Sequence, residues 1–153
     1  MKDIHADLIA NAAPAPTPFN SDRVEQLKLP WPLSLNRLWR AVGGRVLLSA
    51  DARACVRAIA NALPRGRIPP PLTGRLAVQI TLCPPKSESD ARWDVANREK
   101  LICDALTKQR VWADDSQIDW ISLARGPAFA SGCALVRIDV YHADVNTNNP
   151  TKE

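Results

Sequence analysis

The sequence predicts a single α/β (α+β) domain, with a small mixed sheet and two main helices packed on it. Residues 75–83 alternate between apolar and polar side chains, as a strand does, whereas residues 52–63 repeat apolar side chains with the helical period. In chain order, the patterns read strand, hairpin, helix, strand, helix, strand, strand. With 46% hydrophobic and 24% charged residues, the 153-residue chain has the composition of one globular domain with a real core.

The two ends are expected to lie outside this domain, which we place at residues 23–142. Residues 1–22 are polar and contain spaced prolines, and residues 143–153 are rich in Asn, Thr and Pro, so both are predicted to be disordered. The sequence has no run approaching ~18 apolar residues and no apolar secretory region near its start. We therefore expect no contact with a membrane, and a cytoplasmic location.

The first strand and a hairpin occupy the region before the first helix. Residues 24–29 read as a strand that ends at Pro30, since proline donates no ladder hydrogen bond. Gly43 and Gly44 separate two short apolar runs, the pattern of a hairpin with a two-residue turn. Such a hairpin would present Arg40 and Arg45 near its tip.

The first helix is predicted from Ser49, as its N-cap, to Pro64, which ends it. Its apolar side chains fall on one face. These are Ala52, Cys55, Val56, Ile59, Ala60 and Leu63. The three prolines at 69–71 then predict a stiff connector.

Three further strands are predicted. Residues 75–83 form a half-buried strand and residues 117–125 form the next. Residues 135–141 form the last strand, which we expect in the interior of the sheet.

The second helix is predicted within residues 94–111, and its polar stripe carries the chemistry. Its apolar side chains, Leu101, Ile102, Ala105 and Leu106, can seat it on a core, and its polar stripe contains Asn97, Lys100, Asp104 and Lys108. Asp94 would begin the helix, near unpaired N–H groups, and Lys100 would reach back towards the first turn. Carboxylates with a nearby lysine are what metal-assisted phosphodiester cleavage requires.

The distribution of charge favours a polyanionic partner. Between Pro30 and Ser87 the only acid is Asp51. Arginines can grip phosphates with paired N–H groups, although a solvated basic face is the simpler alternative. The basic residues in this region are Arg37, Arg40, Arg45, Arg53, Arg57, Arg65, Arg67, Arg75 and Lys86.

Two separated motifs resemble the RusA family of Holliday junction resolvases, over about residues 27–141. The first is Leu29-Pro30-Trp31-Pro32, with Ser34, Asn36 and Arg37 after it. The second is Asp94-Val95-Ala96-Asn97, with Lys100, then Asp104 to Lys108, and then Trp112 to Ile118 with its pair Asp114-Asp115.

This resemblance implies a RusA-like fold and a homodimer that resolves four-way-junction DNA in recombination and repair, encoded by a bacterium or a phage. It implies Mg²⁺, replaceable by Mn²⁺, held by Asp94 and Asp115 with Asp114 in support. The two main ligands are expected to meet around one ion, and Lys100 to stabilise charge on the scissile phosphate. The residues expected to contact DNA are Asn36, Arg37, Arg40, Arg45, Arg92 and Asn97.

One departure from the family pattern is Ala96, which occupies the position of an expected second acid in an Asp-x-Asp-Asn motif. Alanine offers no oxygen to a metal, so we expect impaired cleavage with DNA binding retained. Substitution by Glu99 or Asp90 is less favoured, because Glu99 is rotated away from position 96 on a helix. Whether Ala96 is natural or engineered stays open.

Three alternatives stay open. The protein can be a branched-DNA-binding protein without catalysis, or a small-molecule hydrolase that uses the same acids. Alternatively, Asp114 and Asp115 merely shape a polar turn and Lys100 is a surface lysine paired with Asp104.

The remaining reactive and aromatic residues favour structural roles. The cysteines, at 55, 83, 103 and 133, are not spaced as in metal-binding motifs and are interpreted as reduced core residues. Trp31 and Trp39 are interpreted as packing residues rather than stacking platforms for bases.

Overall fold

The computed structural model describes residues 23–64 and 71–141, which contain six strands and two α-helices. The predicted disordered ends, and all of the proline connector except Pro71, fall outside these residues. The strands are β1 (Arg23–Pro30), β2 (Trp39–Val42), β3 (Arg45–Leu48), β4 (Arg75–Cys83), β5 (Ile118–Arg125) and β6 (Cys133–Tyr141). The helices are α1 (Ala50–Ala62) and α2 (Glu99–Lys108).

The main sheet has the strand order β1-β6-β4-β5. β4 and β5 are parallel and are joined through α2, whereas β1 with β6 and β6 with β4 are antiparallel. The predicted small mixed sheet, and the interior position of the last strand, are therefore confirmed. β6 begins at Cys133, two residues before the predicted start, because Cys133 continues the ladder opposite Cys83.

Both helices pack on one face of this sheet. Ile59 of α1 and the pair Ile102 and Leu106 of α2 belong to one core with alternate residues of the strands, such as Val78 and Ile138. All five are almost completely buried. The predicted arrangement of two helices on a sheet is therefore confirmed.

β4 is buried on both faces, so the prediction of a half-buried strand is wrong. Ala77 and Gln79, on the face away from the helices, are only 0% and 7% exposed. The reason is that β4 is an inner strand, so side chains of both neighbours, β6 and β5, flank it on this face. The larger Arg137 and Trp120 stand in register beside these two residues.

The predicted hairpin is confirmed as β2–β3, which forms a two-stranded sheet separate from the main sheet. Gly43 and Gly44 adopt φ values of 55° and 75°, which L side chains rarely adopt, and close the two-residue turn. Val46 is 69% exposed and its neighbour Leu47 is also exposed. The hairpin therefore projects from the domain.

α1 begins as predicted, because the Ser49 hydroxyl oxygen accepts a hydrogen bond from the Ala52 N–H at 3.0 Å. Only Ala52 and Ile59 are buried completely, since Cys55 and Val56 lie at the margin of the core. The four cysteines are free thiols, and all except Cys55 are buried, in agreement with a core role. Within the described ranges, neither helix is long and apolar enough to cross a membrane.

The sheet face away from the helices carries two charged networks. Arg137 donates two hydrogen bonds to the buried carboxylate of Asp139, at 2.9 and 3.0 Å. At the other network, Arg75 and the hydroxyl of Tyr141 both donate to Asp119. Burial, and next the hydrogen bond to Asp119, raise the pKa of Tyr141 to about 12, and the Arg75 guanidinium lowers the pKa of Asp119 to about 2.

Candidate active site

Asp94 lies in an extended conformation before a 3-10 turn, Val95–Asn97, and not at the start of α2. Its carboxylate accepts a hydrogen bond from the Asn97 amide at 3.0 Å. α2 begins only at Glu99, because Arg98 has non-helical backbone angles, and it ends at Lys108. The predicted helix was therefore too long at both ends, and the carboxylate of Asp94 does not sit on the N–H groups of α2.

Arg98 fixes the segment before α2, although it was not among the predicted site residues. Its guanidinium lies 4.2 Å from the ring centre of Trp31 and 5.4 Å from that of Trp93. It also donates to the Pro32 carbonyl, and the side chain is only 8% exposed. The two rings pack edge to face, so Trp31 is a packing residue, as predicted. No local pattern marks Arg98 as buried, because Trp31 lies far from it in sequence.

Lys100 points forward along α2, whereas the prediction was that it reaches back towards the first turn. Its ammonium donates to Asp104 at 2.7 Å, an i, i+4 pair on the exposed face. The hydrogen bond to Asp104 raises the pKa of Lys100, and the negative charges of Asp104, Asp115 and Glu99 add to this effect. Lys100 is therefore a stable cation within electrostatic reach of Asp115.

Asp115 is held by two donors from the end of α2 and the segment that follows. The Thr107 hydroxyl donates to Oδ1 of Asp115, and the indole N–H of Trp112 lies 3.0 Å from the same oxygen. Trp112 is completely buried, so this contact ties the carboxylate to the core. No hydrogen bond from the described part of the chain reaches Oδ2, which leaves one oxygen for a ligand.

Asp114 shapes the turn that carries Asp115. Its carboxylate accepts from the Ser116 N–H at 2.8 Å, and the Gln117 side chain accepts in return from the Asp114 N–H at 3.1 Å. The hydrogen bonds from Ser116 lower the pKa of Asp114. Gln117 also donates to the carbonyls of Leu72 and Gly74, which anchors the turn to the start of β4.

One chain does not bring Asp94 and Asp115 together, contrary to the expectation that they meet. Trp93 lies at the end of β5, where Arg125 donates to its carbonyl at 2.8 Å, whereas Asp115 precedes the first residue of β5. The 8 residues of β5, which span roughly 25 Å, therefore separate the segment of Asp94 from that of Asp115. The assigned roles of both residues stay predictions.

Carboxylate oxygens of Asp94, Asp114 and Asp115 are the donors that Mg²⁺ prefers, so their chemistry fits this ion. Their placement in a single chain does not complete a site. In the described ranges, no group of three or more His, Cys, Asp or Glu side chains is placed to hold a metal. Ala96, beside Asp94, is exposed and has only a methyl group.

The predicted DNA-contacting residues are spread over several elements. Arg40 and Arg45 are exposed on the hairpin, and Arg92 is exposed before Asp94. Arg37, in a 3-10 turn with Asn36, pairs with Asp51 at 2.6 Å. Arg65 and Arg67 of the basic region fall outside the described residues. Their contact with DNA stays a prediction.

Comparison with known proteins identifies similar sequences. The model of the family described as Endodeoxyribonuclease RusA matches residues 30–141. The chain is 30% identical over 106 residues to the crossover junction endodeoxyribonuclease RusA of Escherichia coli strain K12, which covers 69% of this chain and 86% of that protein. Identity and coverage are the same for the crossover junction endodeoxyribonuclease of Enterobacteria phage 82. The Shigella sonnei protein of the same name is 29% identical over the same shares of the two chains.

Proposed function

The chain belongs to the RusA family of endodeoxyribonucleases, and on this premise we propose that it is a structure-specific endonuclease that resolves four-way DNA junctions. Ala96 impairs its cleavage, because it removes one carboxylate from the reaction centre. The bacterial and phage relatives also support a role in the cytoplasm of a bacterial cell.

The observation that carries this proposal is the fixed carboxylate of Asp115. A surface aspartate that only solvates a turn has no need of two side-chain donors, yet Thr107 and the buried Trp112 both bind one of its oxygens. The Lys100 ammonium lies within its electrostatic reach. An oriented carboxylate with a permanent cation in its electrostatic reach is suited to phosphodiester hydrolysis.

Mg²⁺, with Mn²⁺ as a possible replacement, would be held by Asp94 and Asp115, with Asp114 in support. When bound, the ion supplies an activated water and neutralises charge on phosphate oxygens. The role of the protein is to orient these groups. Trp112 and Thr107 fix Asp115, Asn97 binds Asp94, and Lys100 faces the negative charge that grows on the scissile phosphate.

The separation of the two acids supports a homodimer. Since Asp94 follows a residue bound at the end of β5 and Asp115 precedes the start of β5, a shared ion would take Asp94 from one subunit and Asp115 from its partner. A two-fold dimer would then contain two such sites, which matches the two strands to be cut in a four-way junction. The exposed Arg40 and Arg45 of each hairpin would contact the DNA backbone.

The test compares nicking of a synthetic four-way junction in Mg²⁺ by this chain and by Ala96→Asp. We expect strong cleavage only in the variant, because the new carboxylate completes the ligand set. Ala58→Asp, at an exposed position of α1, is the matched control and should behave as the unmodified chain. Strong cleavage by the unmodified chain would refute the role given to Ala96, and linear duplex cut as readily as junction would refute the structural specificity.

The second candidate function is branched-DNA binding without catalysis, and Ala96 is the observation that favours it. In this case neither the chain nor Ala96→Asp cleaves, while both shift a four-way junction in a gel in the presence of excess linear competitor.

A further inference from the structure

A groove of about 240 Å³ lies between the base of the hairpin and the two helices. Trp39 and Leu48, which face each other across the hairpin, form one wall. Val56 of α1 and the pair Leu101 and Ala105 of α2 form the floor. At ~30 Å³ of liquid volume per water molecule, this space is far larger than a bare ion needs.

The aromatic wall is open to solvent. Trp39 is 52% exposed, although the sequence analysis interpreted it as a packing residue. The difference arises because the hairpin is a separate sheet that holds Trp39 above the groove rather than inside the core. A large exposed aromatic surface beside apolar floor residues is typical of a binding site.

The rim of the groove is cationic. Arg53, Arg57 and Lys108 line it, and in the described ranges none of them forms a salt bridge with a carboxylate. Arg53 instead donates to the Leu48 carbonyl. Among the described residues, the only acid on the rim is Asp104, which is already paired with Lys100 at 2.7 Å. The ligand is therefore expected to be anionic as well as flat and apolar.

We propose that this groove binds one unpaired nucleotide of the branched DNA, with its base stacked on Trp39 and its phosphates contacted by Arg57 and Lys108. A nucleotide combines the flat π surface and the negative charge that the wall and the rim require. The groove also lies on α2, where Asp104 links it to Lys100. Binding there would hold an extruded nucleotide beside the group proposed to face the scissile phosphate. This proposal rests on the proposed function.

The test is a binding cycle on the full chain in EDTA, which prevents cleavage. One DNA is a four-way junction with a single unpaired thymidine at its branch point, and the other has an abasic residue at that position. Loss of the base should weaken binding by the unmodified chain about tenfold, as expected for one stacked base. Trp39→Ala should bind the thymidine junction about tenfold more weakly and show no further loss with the abasic DNA.

The matched control is Leu47→Ala, which truncates an exposed apolar side chain of the same hairpin outside the groove. In this variant, loss of the base should weaken binding by the same factor as in the unmodified chain. Trp39→Phe retains an aromatic ring and should keep part of this effect, so the test survives if Trp39→Ala fails to fold. Arg57→Gln should weaken binding of both DNAs by the same factor, since it removes a phosphate contact only.

The proposal would be overturned if loss of the base weakened binding by the same factor in the unmodified chain and in Trp39→Ala. A change of oligomeric state in Trp39→Ala with the effect of the base retained would also overturn it, because the groove would then hold a second copy of the chain. The same cycle on single-stranded DNA separates this proposal from the proposed function. A coupling between Trp39 and the base there would preserve the nucleotide site, even if the protein showed no preference for junctions.

Discussion

The buried indole of Trp112 donates its N–H to Oδ1 of Asp115 across 3.0 Å. The same N–H lies 2.6 Å from the hydroxyl oxygen of Thr107, which itself donates to Asp115. The carboxylate is therefore oriented by groups anchored in the core, even though it lies on a surface turn.

Removing the Thr107 hydroxyl should loosen Asp115. In the Ala96→Asp background, we expect Thr107→Val to lower junction cleavage about tenfold, with about 1 kcal/mol lost from the free energy of unfolding. Ser131→Ala, which removes an exposed hydroxyl in the turn before β6, is the control. Single-turnover cleavage and urea unfolding provide the two measurements. Equal cleavage by the two variants would show that Asp115 needs no orientation by Thr107.

Mixing two inactive variants should restore cleavage if each site combines two subunits. In the Ala96→Asp background, Asp94→Asn and Asp115→Asn should each be inactive alone. Their heterodimer would retain one intact site, composed of Asp94 from one chain and Asp115 from the other, and should nick one strand. Unfolding and refolding the mixture, followed by a nicking assay, checks this. No recovery, despite exchange of subunits, would place both acids of each site in the same chain.

The titration of Tyr141 can be followed directly, because it is the only tyrosine in the chain. Its pKa is raised to about 12, so the rise in absorbance of tyrosinate should occur well above the ordinary value near 10. Asp119→Asn should lower the midpoint, although burial will keep part of the shift. Asp51→Asn is an exposed control that should leave the midpoint unchanged.

The same shift fixes the sign of a stability change. Since the folded protein keeps the Tyr141 proton to a higher pH than the unfolded chain does, this contribution is complete below pH ~10 and is lost as pH rises towards about 12. Urea unfolding followed by circular dichroism at each pH should show the free energy of unfolding declining over this range. Tyr141→Phe should reduce the decline. A midpoint near 10 in a protein that is still folded would contradict the contact with Asp119.

Two arginine–aspartate pairs should differ in their contribution to the free energy of unfolding. Arg137→Gln leaves the buried Asp139 without its bidentate partner, and we expect a loss of about 2 kcal/mol or more from the free energy of unfolding. Arg37→Gln breaks a pair in which both side chains are more than half exposed, and should cost less than about 1 kcal/mol. Chemical denaturation of both variants measures the difference, and equal losses would contradict the role of burial.

The hairpin arginines should act through phosphate charge. We expect Arg40→Gln and Arg45→Gln each to weaken junction binding and to reduce the slope of log K against log salt by about 1. Arg23→Gln, on the edge strand β1, is the control, because Arg23 is already paired with Glu25. An unchanged slope in the hairpin variants would remove Arg40 and Arg45 from the DNA interface.

Several elements of the fold could be predicted because neighbours in sequence decide them. A two-glycine turn needs positive φ, and Gly43 and Gly44 supply it. A helix start needs an acceptor for free N–H groups, and Ser49 supplies it. The start of α2 was missed because a contact from outside the helix fixes it. Arg98 is held between Trp31 and Trp93, and its backbone leaves the helical region.

Burial of the inner strand β4 also depends on segments that are distant in sequence. The alternation in β4 identified a strand, yet only its two neighbours in the sheet determine that Ala77 and Gln79 are covered. In the same way, the exposure of Trp39 depends on where the hairpin stands relative to the helices.

For the candidate site, the sequence by itself determined the chemical groups, since the order and spacing of Asp94, Lys100 and Asp115 mark the family. Only the tertiary structure decided how these groups are arranged. Asp94 and Asp115 lie towards opposite ends of β5, Lys100 pairs with Asp104, and Trp112 fixes Asp115. The physical reason is that residue identity is written along the chain, whereas the distance and orientation between carboxylates depend on packing between segments far apart in it.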